Sequence, residues 1–219
     1  QEWVVTNNAA TFVSQNFGDE YDYHIEPEGD SYAQPNGIIS RWEITSSGQW
    51  TDNYVGARDY VWATINLPGD TDLNVVNVHF KMGDAEAATR EDQAIEVTNY
   101  IANAGFDAGD YLIIAGDLNL SNRTEAAMTV LLNVVGDDQV PTDRAGDSHT
   151  NPSRIEENQR PYDYLLPNAA LEAQHVGMSY NGTSFGDGFI FDSREWGDHQ
   201  YPALGSDSED QNMAHRPVL

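Results

Sequence analysis

The sequence contains no cysteine, which excludes disulfide bridges and thiolate metal sites. It has no run of about 18 apolar residues, the length a membrane-spanning helix needs, so stable membrane insertion is not expected. No basic segment followed by an apolar stretch marks a signal peptide. Positive charge is scarce: ten of the 219 residues are basic, and Lys81 is the only lysine. This speaks against broad, sequence-independent binding along a nucleic acid, which relies on Lys and Arg neutralising phosphates. Internal repeats and low-complexity linkers are also missing, so residues 1–219 read as one domain, expected to act as a monomer.

Acid is abundant instead. Thirty-six Asp and Glu residues give a net charge of −26. They are dispersed along the chain rather than gathered in a tail, which suggests an acidic surface over a folded body. Such a surface repels itself in dilute buffer. At about 1 M salt the Debye length falls to roughly 3 Å and the repulsion is screened. The composition therefore points to a high-salt environment; an ordinary acidic secreted protein is the plainer alternative. Either way the expected location is extracytoplasmic. Hydrophobic residues make up 39% of the chain, enough for a core at this length.

The patterning predicts a strand over Gly37–Ile44 and two more over Tyr60–Leu67 and Leu73–Phe80, the last two joined into a hairpin by Pro68-Gly69-Asp70. Asp84–Ala104 reads as a helix with Ala87, Ala88, Ile95 and Ile101 toward one side and Gly105 as its stop. Tyr111–Ala115 fits a strand buried on both faces. Thr124–Leu132 reads as a second helix, and Tyr162–Leu166, Gly188–Phe191 and Arg216–Leu219 as short strands. Residues 18–37 read as a loop. The order of elements implies a layered α/β domain, its sheets packed face to face with helices outside.

Four short motifs could carry chemistry. Gly116-Asp117-Leu118-Asn119 follows the strand Tyr111–Ala115, which places a carboxylate and an amide at a strand's C-terminal edge, where sites of layered α/β proteins collect. Asp117 could orient or deprotonate a water and Asn119 could donate to a phosphoryl oxygen; the plain alternative is an Asx-rich turn. His79 ends an apolar strand and could donate to a phosphate, or serve only structure. Asp163, in Arg160-Pro161-Tyr162-Asp163-Tyr164-Leu165-Leu166, needs a hydrogen-bond partner if buried, and a histidine is a natural one; a solvent-facing edge position is the alternative. His215 opens His215-Arg216-Pro217-Val218. Arg58 and Arg90 could face a phosphate or be ion-paired. Trp196 could line a cleft or pack in a core.

In this order and strand context the motifs resemble the endonuclease/exonuclease/phosphatase superfamily, of deoxyribonuclease I-like fold. Gln1-Glu2 is similar to its metal-binding "QE" motif, and Asn36-Gly37-Ile38-Ile39-Ser40-Arg41 to its "NGVAILSR" strand. The resemblance implies a four-layered α/β (α+β) sandwich, two packed mixed β-sheets flanked by helices. It implies a divalent-metal phosphoesterase using Mg²⁺, or Mn²⁺ or Ca²⁺, with Glu2 as a metal ligand. It implies that Asp163 holds His215, Asp117 activates the water, Asn119 bonds a phosphoryl oxygen, and His79 contacts the phosphate. Arg58 is a further candidate for substrate binding.

The chain departs from the pattern at Ala214, where the family has an aspartate before the histidine that serves mainly the metal. Asp207, Glu209 and Asp210 lie just upstream, and Asp207 and Asp210 are the expected replacements. The resemblance also implies that an earlier strand and the end of the last strand lie outside this sequence. The expected activity is hydrolysis of phosphodiester bonds in DNA or RNA. The alternatives are a phosphoesterase for a small or lipid head-group substrate, with Phe185–Phe189 as a short candidate membrane hairpin, and a binding domain that has lost its metal.

Overall fold

The computed structural model describes residues 8–27, 34–106, 109–152, 159–196, 204–209 and 215–219. Its centre is a five-stranded mixed sheet in the order β3-β4-β5-β6-β7, formed by Ile44–Trp50, Tyr60–Ile65, Leu73–His79, Tyr111–Asp117 and Asp163–Pro167. Strands β4 and β5 form the expected hairpin, with Ile65 opposite Leu73. The connection from β5 to β6 is a parallel crossover through a helix, α2 (Ala87–Asn103), which a single turn of 3₁₀ helix over Asp84–Glu86 introduces. A second helix, α3 (Ala126–Leu131), packs beside α2.

Alternation along the strands sends one set of side chains to these helices. Val76, Val78 and Phe80, Leu112 and Ile114, and Tyr164 and Leu166 meet Ala94 and Val97 of α2 and Ala127, Met128 and Leu131 of α3 in the main core. Each fully buried large apolar side chain there contributes about 1.5–3 kcal/mol relative to exposure.

The buried face of α2 differs from the expected one. Arg90, Gln93, Ala94 and Val97 point inward, while Ile95 is 43% exposed and Ala87 and Ala88 face solvent. The polar residues are inside because they have partners. Arg90 donates to Glu125 and to the carbonyls of Lys81 and Gly83, and Gln93 accepts from the Lys81 N–H at 2.8 Å. Arg90 is thus ion-paired structure, not a phosphate contact.

The opposite face of the sheet is covered unevenly. A two-stranded antiparallel sheet of β1 (Asp22–Ile25) and β2 (Gly37–Ser40) lays Ile38 against Val61, Ala63 and Ile65 of β4. The predicted strand over Gly37–Ile44 is therefore two elements: β2 ends at Ser40, whose hydroxyl accepts the Trp42 N–H at 3.0 Å, and β3 begins at Ile44. Beyond Ile38 this face opens into a cavity of about 390 Å³ lined by Val75, Ala115, Leu165, Pro217 and Val218. Strand β6 is consequently buried on one face only, with Ile113 and Ala115 half-buried.

Helix α1 (Ala9–Asn16), capped by Asn8, precedes β1. Helix α4 (Ala169–Glu172) and the hairpin β8 (Met178–Tyr180) and β9 (Thr183–Phe185) follow β7. The strands expected at Gly188–Phe191 and Arg216–Leu219 reduce to single bridges, the second joining Ile190 to Val218. Phe185 and Phe189 are buried with Trp196 in a small aromatic core, so the Phe185–Phe189 segment does not present an apolar hairpin, and Trp196 packs rather than lining a cleft. No helix among the described residues is long and apolar enough to cross a membrane.

Candidate active site

Strand register builds the site. Parallel pairing of β5 with β6 sets His79 opposite Asp117, and antiparallel pairing of β6 with β7 sets Asp117 opposite Asp163. Directly opposed residues project to the same face, so three strands deliver an imidazole and two carboxylates in one row. The row lies on the face away from the helices, and Asp163 and His215 reach the cavity between the sheets.

The turn after β6 shapes the row. Gly116 has φ +136°, a conformation that glycine adopts without penalty. Asn119 has φ +50°, in the left-handed region that Asn tolerates better than most residues. The Asp117 carboxylate accepts the Asn119 backbone N–H through Oδ1 at 2.7 Å and its side-chain amide through Oδ2 at 2.9 Å. The motif is thus an Asx turn, and that turn is what orients Asp117.

Asn119 differs from expectation as a result. Its Nδ2 donates to Asp117 and, at 3.1 Å, to the Phe80 carbonyl. In this arrangement the amide positions Asp117 instead of offering its N–H groups to a phosphate. Arg58 requires the same correction. It is 7% exposed, and its guanidinium donates to the carbonyls of His79 and Phe80 at 2.8 and 3.0 Å and to Gln34 at 2.6 Å. It fixes the end of β5 from inside, because the last carbonyls of that strand need donors.

His215 completes the row. Its Nδ1 donates to Asp163 Oδ2 at 2.8 Å, and its Nε2 lies 3.7 Å from Asp117 Oδ2. A carboxylate on Nδ1 fixes the tautomer and directs Nε2 toward the cleft. His215 is 27% exposed and the Tyr162 ring lies 5.9 Å from its own. His79 is 5% exposed, with Nε2 at 3.3 Å from Asp117 Oδ2. Its Nδ1 is buried without a hydrogen-bond partner among the described residues.

Burial and the neighbouring Asp163 charge push the Asp117 carboxyl up to about 7, against the pull of His215, the Asn119 N–H and Arg58. Burial, with the positive charges of Arg58 and His215, holds His79 down at about 3, so it is a neutral imidazole at pH 7.

Asp117, Asp163 and His215 place one ligand atom each within 4.8 Å of one another, a group that could hold a metal ion. Two carboxylates side by side, neither paired with Lys or Arg among the described residues, form an oxygen-rich donor set that fits a hard divalent cation. Asp207 is not in this group: its Oδ2 accepts the Leu204 N–H at 2.8 Å, closing its own turn against the Ser193–Glu195 segment. Glu2, Asp210 and Ala214 lie outside the described residues.

The sequence reading missed Thr150, buried and bonded to the Asp163 N–H, and the guanidinium of Arg216, buried among Asp143, Asp147 and Asp192. The motif around His215 included Arg216 without a role, and nothing in the local pattern singles out Thr150.

This architecture recurs among solved structures. The chain is similar to an endonuclease/exonuclease/phosphatase family protein from Leptotrichia buccalis, with TM-score 0.55 and 19% identity over 78% of this chain and 69% of that one. The chain has the deoxyribonuclease I-like fold. The catalytic domain of human Nocturnin, solved with a bound sulfate anion, shares it at TM-score 0.55 and 14% identity, covering 68% of this chain and 61% of that one. A Staphylococcus aureus beta toxin structure shares it at TM-score 0.50 and 15% identity, covering 73% and 66%. The chain thus spans less than two thirds of the Nocturnin domain and about two thirds of the toxin. At these identities the likeness is one of fold. No protein-family model and no curated protein matches the sequence.

Proposed function

We propose that this deoxyribonuclease I-like domain is a divalent-metal-dependent hydrolase of phosphodiester bonds, acting on DNA or RNA. The observation that carries the reading is the in-register row His79–Asp117–Asp163 with His215 bonded to its end. A fold alone does not establish activity; a row of adjacent acid–base groups, with His215 bonded to Asp163 and opening into a cleft, supports it.

Asp117 orients the attacking water and accepts its proton. Asp163 holds His215 so that Nε2 addresses the phosphoryl group or the leaving oxygen. His79, neutral, donates from the other side, and Asn119 and Arg58 keep Asp117 and the end of β5 in place. A Mg²⁺, Mn²⁺ or Ca²⁺ ion held by the Asp117 group, with Glu2 and Asp210 as further expected ligands, would supply stabilisation of the charge developing on the phosphoryl and leaving oxygens. Substrate contacts are few and local: Arg216, next to His215, is taken up by Asp143, Asp147 and Asp192, and the next cations in sequence are Lys81, two residues past His79, and Arg160, three before Asp163. The dispersed acid supports an extracytoplasmic, high-salt setting.

The test is hydrolysis of supercoiled plasmid and of a chromogenic phosphodiester with Mg²⁺, Mn²⁺ or chelator, from low to molar salt, beside His215→Ala. Metal-dependent nicking that falls about 10²–10⁴-fold in the variant is expected, the range for loss of one acid–base group. Cleavage of the chromogenic ester alone would point to a small-molecule substrate. No turnover at any salt would contradict the hydrolytic reading.

A further inference from the structure

The hydrogen bond between Asp163 and His215 joins groups from two distant parts of the chain. Asp163 begins β7, whereas residues 215–217 lie outside any strand. A 2.8 Å bond between them requires something that fixes one segment against the other. Thr150, in the loop between α3 and β7, touches both. Its Oγ1 accepts the backbone N–H groups of Tyr162 and Asp163, each at 3.0 Å. Its carbonyl accepts the Arg216 N–H at 2.6 Å, and its own N–H donates to the Arg160 carbonyl at 3.0 Å. Thr150 is 2% exposed. Hydrogen bonds and chain connectivity therefore run in a closed ring from Thr150 to Asp163, to His215, to Arg216 and back. The far side of the ring is immobilised as well, because the buried Arg216 side chain is bonded to Asp143, Asp147 and Asp192.

We propose that Thr150 is a positioning residue for the Asp163–His215 pair, setting the separation of the two segments through its hydroxyl and its carbonyl; the role in turnover rests on the hydrolytic reading above. A hydroxyl oxygen has the two lone pairs that two N–H donors need, and β-branching restricts χ1 so that the oxygen stays in place. Valine has the same shape without the acceptor. It would leave the Tyr162 and Asp163 N–H groups unpaired in the interior and release the start of β7 from the His215 segment.

The experiment compares Thr150→Val, Thr150→Ser and the wild-type protein. A control, Asn168→Ala, removes the side chain that accepts the Leu171 N–H at 2.9 Å and caps α4, just beyond the far end of β7. Two quantities are read on ¹⁵N-histidine-labelled protein: the downfield Nδ1–H resonance of His215, assigned by its loss in His215→Ala, and kcat and KM with Mg²⁺ on the chromogenic phosphodiester. Misplacement of a reacting group by about 1 Å costs on the order of 10²-fold. Thr150→Val should lose the resonance and about 10- to 100-fold in kcat with KM nearly unchanged, while Thr150→Ser and Asn168→Ala keep both. Thr150→Ala, read in the same way, serves if the valine variant does not fold. A folded Thr150→Val or Thr150→Ala that keeps the resonance and the kcat of Asn168→Ala overturns the proposal. If the wild-type protein cleaves no phosphoester, the resonance still decides the positioning role, and the hydrolytic reading fails separately.

Discussion

Two clusters of aspartates meet at consecutive residues of the C-terminal segment. Arg216 is 2% exposed and sits among three carboxylates, with Nη1 at 2.9 Å from Asp143 and 3.2 Å from Asp192, and Nη2 at 3.1 Å from Asp147. Burial alone would raise the pKa values of Asp147 and Asp192. The His149 N–H and Arg216 outweigh it and hold Asp147 below the ordinary carboxylate range, and Arg194 with Arg216 does the same for Asp192. One residue earlier, His215 faces Asp163 and Asp117, where no Lys or Arg pairs with either carboxylate among the described residues, and Asp117 is pushed up to about 7. The residue type and the burial are alike. The difference is whether the chain supplies the cation. The first cluster is complete and serves to anchor; the second has oxygen donors to offer.

The largest effect expected from this contrast is on stability. Arg216→Met removes the one cation that the buried Asp143 pairs with among the described residues, while Asp192 keeps Arg194; breaking such a buried pair from one side costs about 3–5 kcal/mol. Denaturant unfolding should show a loss of that size. A loss below about 1 kcal/mol, the level of an exposed ion pair, would break the comparison.

A smaller effect of opposite sign is expected at the other cluster. The Asp117 carboxyl binds its proton more tightly in the folded protein than in the unfolded chain, where it titrates near about 3.9. Its contribution to stability is therefore full below that value and is lost as pH rises through about 7. Asp117→Asn cannot ionise. In chelator its Tm should exceed that of the wild-type protein by at least about 2–4 °C at pH 8, by less at pH 5, and differ little below about pH 4. A difference independent of pH would show that Asp117 is not held protonated by its surroundings.

The parts of this picture legible in the sequence are those that follow from strand ends. His79, Asp117 and Asp163 each stand at the edge of an apolar run, and pairing three such runs sets them in one row. The roles of Arg58 and Asn119 were not legible, because Arg58 depends on the carbonyls of His79 and Phe80 and Asn119 on that of Phe80, which local pattern does not reveal as acceptors. The buried face of α2 was misread for a related reason: Arg90 and Gln93 look like surface residues until Glu125 and the Lys81 backbone supply partners. Strand β3, ITSSGQW, pairs among the described residues only with β4 and is largely exposed, so it carries no hydrophobic alternation to detect. Thr150 acts through backbone groups remote in sequence, which no local motif encodes.

The most direct test is Mn²⁺ binding measured by water-proton relaxation at pH 8, in molar KCl to screen the acidic surface, comparing the wild-type protein with Asp117→Asn. The account predicts a site in the wild-type protein that weakens at least about 10-fold in the variant, the scale for losing a group that supports a metal site. Equal binding by both proteins would contradict the claim that the uncompensated carboxylates beside His215 form the metal centre.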